Sequence, residues 1–123
     1  MPVIGLNHVN IRTSDVAASA QFYIDIFDFE LRRGPTVMGQ QPHWLYDDRG
    51  APIIHFRQLD AESESTGAID HIALSCVGKA AILERLDAKK IKFAVVDNLF
   101  PGVTQVFLKD PHGISLELNF TGD

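Results

Sequence analysis

The chain has one cysteine, Cys76, and therefore no internal disulfide. MPVIGLNHV carries no charged segment followed by a long apolar stretch, so no signal peptide is expected and a reducing cytoplasm is the predicted setting. Cys76 reads as a small buried hydrophobe rather than a reactive thiol. No run approaches the ~18 consecutive apolar residues of a membrane span. Positive charge is scarce and dispersed: 11 Lys and Arg against 16 Asp and Glu, net −5. A phosphate backbone needs concentrated Lys and Arg, so nucleic acid is excluded as a partner. Low-complexity tracts are also missing, and 46% hydrophobic with 22% charged residues is the balance of a folded globular chain.

What is present is a repeat. GLNHVNIRTSD near the start and AIDHIALSCVG in the middle each set one histidine in a short apolar–polar alternation, His8 and His71, 63 residues apart in a chain of 123. An internal period is sought before other signals because it dictates architecture. In the first half, Leu6 to Arg12 alternates as a strand, Thr13-Ser14-Asp15 offers N-caps, and Val16 to Phe29 has helical spacing of Phe22, Ile26 and Phe29. Glu30 to Arg33 starts a strand that Gly34-Pro35 breaks or bends. His43 to Tyr46 is a strand, Asp47 to Gly50 a turn, and Pro52 to Gln58 another strand. The second half repeats the order. Ile69 to Ser75 is a strand, Gly78 to Ala88 a helix with Ala81, Leu83 and Leu86 among its apolar positions, and Ile91 to Val96, Thr104 to Lys109 and Ile114 to Phe120 are strands. Asp110-Pro111-His112-Gly113 is a turn, with His112 read as exposed and structural. The expected fold is α+β: two tandem βαβββ modules, residues 1–59 and 68–123, joined by a polar linker at 60–67. The expectation is a single domain with a curved mixed sheet around a metal or substrate cavity.

Alternation assigns faces. Val9 and Ile11 share one face of the first strand; His8, Asn10 and Arg12 share the other. The same division separates Ile72 and Leu74 from His71 and Ala73. In the last strand Leu116, Leu118 and Phe120 oppose Ser115, Glu117 and Asn119, and in PIIHFRQ Ile54 and Phe56 oppose His55 and Arg57. His55 and Glu117 occupy matching positions 62 residues apart. Each half thus sets one metal-capable side chain on its first strand and one on its last, all away from the helix. If the two sheets curl around a shared cavity, His8, His55, His71 and Glu117 converge on one divalent ion: Fe, Mn, Ni or Zn. His43 and Tyr46, on the preceding strand, are candidate lining residues for the substrate.

The segments NHVNIRTSDVAASAQFYIDIFDF, IDHIALS and FLKDPHGISLELNF resemble the vicinal oxygen chelate superfamily, the glyoxalase / bleomycin-resistance / extradiol dioxygenase group. The likeness runs from about Leu6 to Phe120, and the closing DPxG turn before a glutamate-bearing strand is its most specific part. The resemblance implies paired βαβββ modules around a metal, with ligands at His8, His55, His71 and Glu117. Glyoxalase I enzymes usually carry glutamate where this chain has His55. Arg12 matches an arginine that contacts glutathione in those enzymes, whereas FRQLD lacks the asparagine they tend to have after the second ligand. The implied activity is metal-dependent isomerase or lyase chemistry on a small substrate chelated through adjacent oxygens. Glu117 is the candidate base, and His55 either a ligand or an acid/base beside the metal. The alternatives are an extradiol-type dioxygenase acting on an aromatic diol, and a metal-free small-molecule (drug) binder. A homodimer is expected, with modules possibly exchanged between chains.

Overall fold

In the computed structural model, residues 2–33, 43–60 and 65–122 are described. The expected break at Gly34-Pro35 and most of the expected linker, 61–64, lie outside them. The chain divides into two compact units, Met1–Ser63 and Glu64–Asp123.

The first unit contains β1 (Val9–Thr13), α1 (Val16–Phe27), β2 (Glu30–Arg33), β3 (His43–Tyr46) and β4 (Pro52–Gln58). The sheet order is β1-β4-β3-β2. β2, β3 and β4 form an antiparallel meander, and β4 returns beside β1 in parallel. Helix α1 starts where the Asp15 carboxylate accepts the Ala18 N–H at 3.0 Å, satisfying one of the donors a helix start leaves open. Its last residue is Phe27, two residues before the expected end at Phe29, and the left-handed backbone of the capping Asp28 (φ 59°) turns the chain toward β2. Its buried face, Phe22, Tyr23 and Ile26, packs with Leu45, Ile54 and Phe56. Tyr23 lies 5.9 Å from Phe56 and 6.3 Å from Phe29 between ring centroids. Side chains of this size each contribute roughly 1.5–3 kcal/mol on burial, so this mixed aromatic and aliphatic layer is a major source of the unit's stability. The buried Ser19 hydroxyl donates to Thr13 at 2.9 Å, tying α1 to the end of β1.

The second unit repeats the topology with β5 (Ile72–Cys76), α2 (Lys79–Ala88), β6 (Phe93–Asp97), β7 (Val103–Lys109) and β8 (Ser115–Thr121), in sheet order β5-β8-β7-β6. Its core is Val106, Leu108, Leu116, Leu118 and Phe120 with Ile82 and Leu86 of α2. Ile82 rather than Ala81 faces inward, because Ile82 and Leu86 are one helical turn apart and so share a stripe.

The repeat extends to individual hydrogen bonds. At the β3–β4 turn the Asp47 carboxylate accepts the N–H groups of Arg49 and Ala51, both at 2.9 Å. At the β7–β8 turn Asp110 accepts those of His112 and Ile114, both at 2.9 Å. Gly50 (φ 76°) and Gly113 (φ 87°) take the left-handed position that closes each turn. Each aspartate thereby sets where the following strand, bearing His55 or Glu117, begins.

Candidate functional site

In the first unit, His8 stands one residue before β1, not inside the strand as alternation predicts. Its Nδ1–H donates to Asn7 Oδ1 at 2.8 Å, which leaves Nε2 as the nitrogen with a free lone pair. Asn10 and His55 are partners across the parallel β1–β4 ladder, and Asn10 Nδ2 lies 3.0 Å from His55 Nδ1. An amide N–H donates, so His55 Nδ1 accepts and its proton sits on Nε2. With the Asn10 amide turned over, the tautomer reverses and Nε2 becomes a potential ligand. Trp44 is opposite His55 in the β3–β4 ladder. Its indole stacks on the His55 imidazole at 4.2 Å and 9°, while His8 meets it edge-on at 4.9 Å. Burial lowers the His55 pKa, and nearby His8 and His43 add repulsion in the same direction, so His55 is neutral at pH 7.

Arg12 and Arg57 are direct partners two positions further along the same face. Neither has a hydrogen-bond or ion-pair partner among the described residues, which makes an uncompensated like-charge pair. Tyr46 shares the face of Trp44 and carries the Arg32 guanidinium 4.2 Å over its ring. Glu30 holds Arg32 at 3.0 Å. The register sets His43 opposite Phe56, on the helix-packed face with Leu45, and so on the other side of the sheet from His55.

In the second unit, His71 likewise precedes its strand. Its Nδ1–H donates to Asp70 Oδ2 at 2.8 Å, and Nε2 faces Glu117 Oε1 at 3.5 Å. Asn119 donates to the other carboxylate oxygen, Oε2, at 2.8 Å. The Asp70 bond raises the His71 pKa; burial works against it, and the charges of Glu117 and Asp70 add to the rise. Both histidines are thus oriented by the residue before them, Asn7 and Asp70, the arrangement that fixes a metal-binding imidazole's tautomer.

Among the described residues, no three His, Cys, Asp or Glu side chains gather into a group able to hold a metal ion. Each unit carries two of the four expected donors. By chemistry the donors suit a divalent first-row ion: imidazoles whose Nδ1 is already engaged and a carboxylate with one oxygen already held. The burial of Cys76 pushes its thiol up to about 11, so it is no thiolate ligand at neutral pH. No helix among the described residues is long and apolar enough to cross a membrane.

The tethers were legible as the dipeptides Asn7-His8 and Asp70-His71 at the same repeat spacing. Asn10, Trp44 and Arg57 were not, because only strand register brings them beside His55 and Arg12.

Two four-stranded mixed sheets, each with one helix and the order βαβββ, define a duplicated-module α+β protein of the glyoxalase type. The family model of the Glyoxalase/Bleomycin resistance protein/Dioxygenase superfamily matches residues 5–118, and the chain belongs to that superfamily. Among solved structures it is similar to a glyoxylase/bleomycin resistance protein/dioxygenase domain from Frankia sp. EAN1pec, at 20% identity and TM-score 0.78, covering 98% of this chain and 94% of that one. It is also similar to the fosfomycin resistance protein FosX from Listeria monocytogenes, at 18% identity and TM-score 0.71, covering 96% and 93%. A mutant of that FosX complexed with Mn(II) and 1S,2S-dihydroxypropylphosphonic acid matches at 18% identity and TM-score 0.69, covering 94% and 91%. At these identities the likeness is one of fold. No curated protein matches the chain.

Proposed function

We propose that the protein is a metal-dependent enzyme of this superfamily that performs isomerase or lyase chemistry on a small substrate bound through two adjacent oxygens. The observation that carries this reading is the oriented pair in the second unit: His71, tethered at Nδ1 by Asp70, directs Nε2 at Glu117 Oε1 from 3.5 Å. His8, tethered by Asn7, is its counterpart in the first unit. In the proposed site His8, His55, His71 and Glu117 hold one Fe, Mn, Ni or Zn ion, the two pairs combining within a chain or across a homodimer. The ion, when bound, supplies a Lewis acid for negative charge developing on the two substrate oxygens.

This chain's own residues do the rest. Asn119 holds Glu117 Oε2, leaving Oε1 to take a proton from substrate. His55 has a second role open to it, since with Asn10 donating to Nδ1 it presents Nε2–H as an acid. Arg12 and its partner Arg57 hold an anionic part of the substrate, which relieves their mutual repulsion. Tyr46 lines the same face; His43, on the helix-packed side of the sheet, does not. The proposed setting is the cytoplasm. A light-scattering mass of twice the chain's 13.6 kDa supports the dimer, and a single-chain mass at micromolar concentration refutes it.

Trp44 is the chain's one tryptophan and touches His8 and His55, so its emission reports ion binding there. Metal-free protein titrated with each ion is expected to change emission and retain about one equivalent by elemental analysis, lost in His71→Ala and Glu117→Ala. Preference for iron directs assays to the second reading, an extradiol-type dioxygenase; preference for nickel or zinc directs them to isomerisation. Retention of no ion refutes the metal reading and leaves a metal-free small-molecule binder.

A further inference from the structure

The face of β8 that bears Glu117 carries a polar group left without a partner. Gln105, on β7, is 7% exposed. Its Oε1 is buried and accepts no hydrogen bond among the described residues. Gln105 is the direct cross-strand partner of Asn119, and Phe107 is the partner of Glu117. Gln105 is therefore the diagonal neighbour of Glu117, within reach of a long side chain on the same face. Asn119 Nδ2 gives one of its two N–H donors to Glu117 Oε2 at 2.8 Å and makes no hydrogen bond to Gln105 Oε1.

A buried acceptor without a donor is a standing destabilisation, and native structures keep few of them. A β-strand position flanked by Val96 and Asn119 has no need of an amide for packing; methionine or leucine fills the same volume. The group is explained if its donor arrives with a ligand.

We propose that Gln105 Oε1 is a substrate-binding acceptor, taking a hydroxyl or amide N–H of the ligand beside Glu117. The proposal rests on the metal-enzyme reading and deepens it. It assigns the substrate a hydrogen-bond donor next to the chelated oxygens, so a hydroxy-bearing compound is preferred over its deoxy analogue.

The test uses the full chain, wild type and two variants, Gln105→Met and Gln105→Leu, with three measurements on each. Thermal unfolding of the metal-free protein is expected to rise by a few degrees in at least one variant, since the unpaired carbonyl is gone. Ion binding, read from Trp44 emission, is expected to be unchanged, because Gln105 is not among the proposed ligands. Glycerate and lactate, which share the chelating carboxylate and 2-hydroxyl and differ by one further hydroxyl, are the probes for the loaded protein. The wild type's preference for glycerate is expected to fall about three- to tenfold in the variants. Unfolding temperatures lowered in both variants, the result a structural buried water or protein donor at Gln105 gives, would overturn the proposal. So would an unchanged glycerate preference. Failure of the wild type to bind any ion instead strikes the underlying metal reading, and this proposal with it.

Discussion

Asp110→Ala tests the link between turn chemistry and the position of Glu117. The Asp110 side chain is buried, 5% exposed, and its carboxylate accepts the N–H groups of His112 and Ile114 at 2.9 Å each. Bonds to a charged acceptor are worth about 1.5–3 kcal/mol apiece, and alanine leaves both donors without it. Water reaching the opened turn restores part of the loss, and the desolvation of the carboxylate is recovered. The net cost is about 2–4 kcal/mol, roughly a 10 °C fall in Tm for a chain of this size. Asp110→Asn keeps a neutral acceptor and is expected to lose about half as much. The turn also sets the register of β8 on β7, where Ser115 pairs with Lys109 and Glu117 with Phe107. A slip of one residue would carry Glu117 to the helix-packed face. Ion binding by Asp110→Ala at temperatures where it remains folded is therefore expected to weaken as well. Thermal unfolding followed by circular dichroism, paired with ion titration, is the assay. A Tm within about 2 °C of wild type would falsify the reasoning, since it would mean that the two backbone bonds contribute nothing net.

Asp47 gives the matching turn a pH dependence. Partial burial raises its pKa, but the N–H of Ala51 and the side chain and N–H of Arg49 outweigh this and hold it below the ordinary 3.8. The unfolded chain then binds the proton at higher pH than the folded one. Its contribution is fully present above the unfolded value and is lost as pH falls through the folded value. The stability gap between wild type and Asp47→Asn should accordingly close on acidification below about pH 4; denaturant titrations that show a constant or widening gap contradict this. Asn10→Asp puts an obligate acceptor beside His55 Nδ1, holds the proton there and frees Nε2. Ion affinity is expected to rise about tenfold by calorimetry. A fall would assign His55 the acid role instead of the ligand role.

Much of the architecture was legible before any coordinate. The 63-residue spacing between His8 and His71 recurs in Asp47 and Asp110 and in Gly50 and Gly113, and it announces a duplicated module. Alternation in SLELNF assigns Glu117 to the face opposite Leu116 and Leu118, because a strand's side-chain period is two whatever lies across from it. Asp15 reads as a helix cap from chemistry local to one turn. Other features needed the folded chain. Strand starts at Val9 and Ile72, one residue after each histidine, are set by where the parallel ladders with β4 and β8 begin. The stack of Trp44 on His55, the Asn10 contact and the facing of Arg12 by Arg57 join residues 11 to 45 positions apart. Propensity and periodicity act over a few neighbours along the chain. Which residues face each other across a ladder depends on loop lengths and on hydrogen bonds between distant strands, and these exist only once the sheet has formed.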